Sequence, residues 1–596
     1  MKDAELNMNA VTPPSVGSRD VTAVRSPSLF QRYPKAFLNS VFREDRFFLI
    51  LSVFIGVFSG LAVVCFRYAI DWSRIYLLGS GVALTPIRLV LAPTLAGIVI
   101  AALVIHVFPG ARGSGVNQTK AALYIYNGYI PLRTAVGKFI TAALAIGSGH
   151  SLGPEDPSLQ IGASMASALG RRMNLSRDRM RLIAPVGAAA GLAAAFNAPI
   201  SAVLFVIEEV IGRWTAGILG SVVLSAVSSV VVMRWFLGSE SMFRIPAVQM
   251  QRPSELVAYS VLGIVGGVAS VLFAAGITTL RPRCKRLQRW TQYFQPAVAG
   301  FLIGMIALAG FPQVMGAGYE YIDEAMHGRY TWQMLGILAG LKIVATLLSF
   351  VSGTPGGMFA PTLFIGAMLG AAVGGAQHAL LPHLAGSPGT YALVGMGVLF
   401  AGFLRAPMTS VFMVLEVSGN YSIIVPVILA NTIAYVISRG LQPIAIFDAL
   451  TRQDGLDLPS MEEQREEGIL RVEDAMQPGD GMVLDSRLSL ERALQEAEKV
   501  PTEILLVRLS PSGWSSVKKE EMRTMVAEGK GGFNLGSLLN NRAVPFLHPD
   551  HPLEMALRYV DRWAVVPVVS RADFRKLEGV ISQRDVLERY REFGES

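Results

Sequence analysis

The chain has 596 residues, of which 52% are hydrophobic and only 16% charged, and its mean hydropathy is +0.45. That balance excludes an ordinary soluble protein of this size and marks a polytopic membrane protein. The net charge of +8 comes from basic loops rather than from a nucleic-acid surface: it concentrates in residues 171–181 (RRMNLSRDRMR) and 281–289 (RPRCKRLQR), which the positive-inside rule places on the cytoplasmic side.

Residues 1–45 are polar, with Pro and Ser and no apolar core, and are expected to be a cytosolic tail rather than a cleaved signal. Apolar runs able to cross hydrocarbon occupy residues 47–70, 87–108, 216–237 and 256–280. Further runs at 296–309, 334–351 and 423–437 follow, two of them short. Short, Gly-interrupted segments predict half-helices and re-entrant elements, which need protein or a water-filled path around them. Cys65 and Cys284 imply no disulfide framework. The seven His are scattered, and with no Cys/His metal set or nucleophile triad neither a metal site nor an enzyme is expected.

Four landmarks occur twice in the same order. FPGARGSG (108–115) is answered by FPQVMGAG (311–318), and PSLQIG (157–162) by PTLFIG (361–366). Gly115 to Pro157 is 42 residues and Gly318 to Pro361 is 43. Val186-Gly187 stands twelve residues before Pro199 as Val394-Gly395 stands before Pro407, and Glu208 and Glu416 each lie nine residues beyond those prolines. The fold expected is an all-α membrane unit of two repeated halves, its landmark turns converging near the bilayer midplane. The pattern leaves open whether the halves are inverted or parallel.

Between two apolar segments, residues 153–162 (GPEDPSLQIG) carry Glu155 and Asp156. Acids at membrane depth are costly and point to function. Pro157 suits the first turn of a helix, and a helix start offers free N–H groups to an anion. Asp156, immediately before Pro157, is expected to cap that helix.

After Arg452 the composition turns charged. Residues 453–468 read as a linker and 469–596 as a soluble α/β tail in which helix, strand, Gly turn, strand and helix occur twice, at 469–542 (with an insertion around 518–536) and 543–596.

GSG (113–115), GPEDP (153–157), FNAPISAVLFVIEE (196–209) and GGMFAP (356–361) together resemble the CLC chloride channel and transporter family, across roughly residues 46–452. The tail resembles the paired CBS domains often attached to it, the first copy being degenerate. The resemblance implies chloride contacts from Ser114 and from the backbone N–H groups of Met358 and Phe359. It implies a gating acid at Glu155, whose carboxylate competes with the anion, and an internal proton acid at Glu209. Glu208, repeated as Glu416, reads as structural. Read along a straight helix from Pro199, Glu209 falls about 15 Å on, near the aqueous edge.

Four departures accompany the resemblance. Pro154 stands where a basic residue is common, Asp156 where Gly is usual, and Asn117 where Pro is usual. Phe447, or Ala445 in a shifted register, stands where a tyrosine hydroxyl is expected. In the tail, Ser582 and Asp585 match positions that meet an adenine nucleotide (ATP, ADP or AMP) in CBS pairs; no other cofactor is expected.

The resemblance thus implies a homodimer exchanging chloride for protons under control of the CBS pair, and the expected place is the cell membrane with N-terminus and tail cytoplasmic. A passive chloride channel is the alternative, and a membrane-anchored nucleotide sensor a third reading of a different class.

Overall fold

The computed structural model describes residues 44–79, 86–212, 216–239, 242–243, 253–380, 388–456, 458, 470–479, 481–509, 513–539, 543–571 and 573–595. Nearly all of the expected N-terminal tail and most of the expected linker lie outside these residues. The chain forms a small unit, residues 1–51, whose described part opens the first helix, and a large unit, residues 52–596.

The first half runs α1 (Glu44–Leu78), α2 (Pro86–Ala102), α3 (Gly115–Tyr124), α4 (Leu132–Ser148), α5 (Glu155–Arg172), α6 (Arg177–Phe196), α7 (Pro199–Phe205) and α8 (Ala216–Leu237). The second runs α9 (Glu255–Arg286), α10 (Gln295–Leu308), α11 (Tyr319–Met326), α12 (Trp332–Val351), α13 (Phe359–Leu380), α14 (Pro388–Leu404), α15 (Pro407–Ser418) and α16 (Ile424–Leu441), and a short α17 (Ile446–Gln453) closes the membrane part. Element answers element in order, down to the backbone: Asn197 and Arg405, which end α6 and α14 at the NAP and RAP landmarks, both adopt left-handed φ values, 56° and 61°.

The contacts between halves show how they are related. Gly153 N–H donates to the Gly357 carbonyl at 2.8 Å and Gly357 N–H returns the bond to Gly153 at 2.8 Å, as an antiparallel bridge. Glu208 accepts from the amides of Met408 (3.1 Å) and Thr409 (2.8 Å) at the start of α15. Glu416 accepts from those of Ile200 (2.9 Å) and Ser201 (2.8 Å) at the start of α7. Equivalent residues that touch each other reciprocally lie about a two-fold axis, and start-to-end contact makes α7 and α15 antiparallel. The halves are therefore inverted repeats, the alternative that the sequence left open.

Among the described residues eight helices are long and apolar enough to cross a membrane, and exposed Phe54, Phe58, Val231, Val261, Leu272 and Val436 are side chains suited to lipid. The protein is a multi-pass membrane protein. The apolar runs read from the sequence pass over α5, α6, α13 and α14, because these helices bury small residues against protein instead of large ones against lipid. A Cβ on Gly162 of α5 would come 2.2 Å from the Gly187 carbonyl of α6, and one on Gly366 of α13 would come 2.4 Å from that of Gly395 in α14. The landmark glycines recur because backbone meets backbone there.

The tail holds β1 (Val483–Asp485), α18 (Leu490–Glu498), β2 (Ile504–Arg508), β3 (Trp514–Lys518), α19 (Lys519–Met525), α20 (Leu535–Leu539) and β4 (Ala543–Val544), then α21 (Leu553–Val560), β5 (Val565–Val569), β6 (Leu577–Ser582) and α22 (Gln583–Glu595). Strands β1 to β4 form one sheet, with β1–β2 parallel and the other pairs antiparallel; β5–β6 form a second, antiparallel one. Residues 518–536, expected as an insertion, hold α19 and the turn leading to α20. Leu506, Trp514, Val569 and Val580 form a common apolar cluster between the two sheets.

Removing the acceptor in Glu416→Ala strands the Ile200 and Ser201 amides. The expected loss is about 1–3 kcal/mol, read as a lowered Tm of the detergent-purified protein, with Glu416→Gln intermediate.

Candidate anion and proton sites

Helix α5 begins at the first of its two acids. Pro154 is the N-cap, and Glu155 and Asp156 are first-turn residues. This corrects the expectation that Asp156 caps α5. Successive helical residues point about 100° apart, so the two carboxylates go to different places.

Glu155 is fully buried. Its carboxylate lies against the Gly153 backbone, so close that a Cβ on Gly153 would come 2.3 Å from Oε2. The amides of Glu155 itself and of Ala360 in α13 are beside it, yet neither oxygen completes a hydrogen bond with a described residue. The Gly153–Gly357 bridge holds the α5 and α13 starts together around this group, where first-turn N–H groups have no partner within their own helix.

Asp156 reaches the start of α3. Its Oδ1 accepts from the Ser114 hydroxyl (3.1 Å) and the Val116 amide (2.9 Å), and its Oδ2 from the Gly115 amide (3.0 Å). Ser114 is itself the α3 N-cap, accepting from Val116 N–H at 3.2 Å. Behind it Lys138, fully buried on α4, donates to the carbonyls of Ala111 (3.2 Å) and Gly113 (2.6 Å). Its counterpart Lys342 donates in the same way to Val314 (3.0 Å) and Gly316 (2.8 Å). Sequence reasoning missed these lysines, although the repeat contained them: they lie 23 residues after Gly115 and 24 after Gly318, the same one-residue offset as the proline landmarks.

Met358 and Phe359 are buried at the α13 start. The Phe359 ring contacts Phe205 (4.9 Å between centroids), Phe400 (5.7 Å), Phe196 (6.0 Å) and Phe447 (6.2 Å). Phe447 therefore joins the aromatic wall beside the α13 start, whereas Ala445 is the N-cap of α17. Asn117 acquires a role here: its Nδ2 donates to the Phe447 carbonyl at 3.1 Å, tying α3 to α17.

Glu209 lies within a π-helical turn, Val206–Ile211, that continues α7. It is buried, only 7% exposed, with its carboxylate 3.6 Å from the Lys120 amine on α3. Lys120 also bonds Asp448 of α17 at 2.8 Å. The straight helix expected after Pro199 is instead continued by this π turn, and the Glu209 carboxylate is covered by protein beside Lys120. From Ser114 to Lys120 is about 9 Å of helix at 1.5 Å per residue, so α3 joins the turn that Asp156 binds to the lysine beside Glu209. Glu208, one residue earlier, is spent on the α15 start.

In the tail, Asp585 Oδ2 accepts from the Ser582 amide (2.8 Å) and hydroxyl (2.6 Å). The two residues cap the start of α22 and do not line the cavity between the two motifs. That cavity, about 470 Å³, is walled by Pro478, Gly479, Val483, Arg508, Arg575 and Lys576 among others. Among the described residues no group of three His, Cys, Asp or Glu could hold a metal.

Comparison with known proteins agrees with this architecture. Residues 96–439 match the voltage gated chloride channel family and residues 536–592 the CBS domain. The chain is similar to the H(+)/Cl(-) exchange transporter ClcA of Vibrio cholerae, 32% identical over 440 residues, covering 70% of this chain and 92% of that one. Its counterpart of the same name in Salmonella arizonae is 33% identical over 402 residues, 64% and 83% of the two chains. Among solved structures, a slow cyanobacterial Cl-/H+ antiporter covers 70% of this chain and 99% of its own at a TM-score of 0.63 and 24% identity. A eukaryotic CLC transporter covers 90% and 97% at 0.60 and 20% identity. The inverted repeat, the paired helix starts and these matches together place the chain in the voltage gated chloride channel family, with a CBS domain behind its membrane part.

Proposed function

We propose that this chain is a transporter, and not an enzyme, that exchanges chloride for protons. The observation that carries the reading is a pair of buried carboxylates outside the structural capping pairs: Glu155 between the α5 and α13 starts, and Glu209 beside Lys120 on α3. A passive pore has no use for a second buried acid, whereas exchange needs one group to compete with the anion and another to deliver the proton.

In this scheme the ionised Glu155 carboxylate and chloride compete for the same first-turn amides, including those of Met358 and Phe359. Protonation removes the charge that holds Glu155 there, so proton arrival and anion entry become one event. Glu209 supplies the proton, with Lys120 and Asp448 supporting its ionised form. Phe447 brings no hydroxyl, so the anion rests on backbone donors and an aromatic wall. Similarity to named H(+)/Cl(-) exchangers supports the substrate assignment.

We assign the protein to the cell membrane as a homodimer, N-terminus and tail cytoplasmic, as the basic loops and the family resemblance imply. The CBS cavity, flanked by Arg508, Arg575 and Lys576, suits a phosphate-bearing adenine nucleotide better than Ser582 and Asp585, which bind each other.

Paired chloride and pH recording on the purified protein in liposomes tests the exchange. Uphill proton movement driven by a chloride gradient alone is the expected result; chloride flux without proton movement would establish the passive channel instead. Glu155→Gln is expected to abolish coupling while chloride flux persists. Glu209→Gln should slow proton flux at least about tenfold, equivalent to ~1.4 kcal/mol in the barrier, with chloride flux retained. For the tail, titration calorimetry of the full chain with ATP, ADP and AMP should show binding that Arg508→Ala weakens and Ser582→Ala leaves nearly unchanged.

A further inference from the structure

Asp156 is a buried acid that the exchange scheme does not use. It is 2% exposed, and its two oxygens take three donors: the Ser114 hydroxyl, the Gly115 amide and the Val116 amide. These are the groups with which the α3 start would hold an anion.

A structural role alone does not account for it, because the repeat supplies a control. The second half builds the same turn at residues 311–318, the same buried lysine on the same two carbonyls, and a helix start at Tyr319. There the counterpart of Asp156 is Ala360 and the counterpart of Ser114 is Ala317. The architecture stands without either. The acid and the serine occur together in the half that also carries Glu155 and Glu209.

We propose that Asp156 is a tethered anion occupying the Ser114 seat. Transported chloride is then held mainly at the α13 start, and it gains Ser114 as a ligand only when the Asp156 carboxylate leaves. The two neighbouring acids divide the work: Glu155 competes with chloride where α5 meets α13, and Asp156 competes with it at α3. The residue thereby sets anion affinity, lowering it below what an unblocked α3 start would give. The inference rests on the chloride reading above.

The test is a double-mutant cycle of chloride binding by titration calorimetry, together with chloride flux from liposomes, on native protein, Ser114→Ala, Asp156→Ala and the double variant. Ser114→Ala is expected to leave native affinity within about twofold. Asp156→Ala should tighten chloride binding at least about tenfold, and adding Ser114→Ala should erase that gain. Asp156→Asn, which keeps one acceptor oxygen, should fall between. Loss of chloride affinity in Ser114→Ala alone would overturn the proposal, and that comparison needs no change at Asp156 should Asp156→Ala fail to fold. Unchanged affinity in a folded Asp156→Ala protein that still moves chloride would overturn it while leaving the exchange reading intact. A native protein that neither binds nor moves chloride would overturn both.

Discussion

Everything in the membrane part depends on how backbone donors at interior helix starts find acceptors. A helix that begins inside hydrocarbon-covered protein presents N–H groups with no partner in its own turn, and water is not there to take them. Different starts meet different solutions here. The α7 and α15 starts are closed by Glu416 and Glu208 from opposite halves. The α3 start is closed by Asp156. The α5 and α13 starts are pinned together by Gly153 and Gly357 and face a carboxylate, Glu155, that completes no hydrogen bond. Glu208 and Glu416, each bonded to the opposite half, make the frame, and the incompletely bonded Glu155 is the group for which we propose competition with an anion.

The frame is symmetric and the chemistry on it is not. Position by position, Glu155 is matched by Phe359, Asp156 by Ala360, Ser114 by Ala317 and Glu209 by Val417. Residues that build the turns recur: the landmark glycines, the prolines, Lys138 with Lys342, and Glu208 with Glu416. Duplication thus separates architecture from function within one chain. What both halves possess holds the fold, and what one half possesses is what the proposed exchange uses. The second half contributes its backbone donors and the wall of Phe359, Phe400 and Phe447.

Much of this was legible in the sequence. Two apolar halves and the half-helix starts follow from ordered landmarks, because turn geometry and backbone contact demand Gly and Pro at fixed spacing, and the candidate status of Glu155 and Glu209 follows from the family resemblance that those motifs carry. Other features were not legible. The cap role assigned to Asp156 failed because the proline rule concerns one helix, while the carboxylate answered another 40 residues away in sequence. The π turn at Glu209 and its Lys120 neighbour were not legible, because a π turn leaves no mark in residue spacing and Lys120 belongs to a distant segment. Ser582 and Asp585 match a motif in type, but local capping engages both.

By itself the sequence determined that the chain crosses a membrane, that it is built twice on one plan, and which few polar residues sit where polarity is costly. These are properties of composition and spacing, and one strand of text carries them. Only the tertiary structure decided that the halves are inverted, that Glu208 and Glu416 serve each other's helices, and which donors each acid meets. The reason is geometric: a carboxylate's partner is set by the direction of its side chain and by which backbone lies within about 3 Å. Neither quantity exists until the segments are brought together.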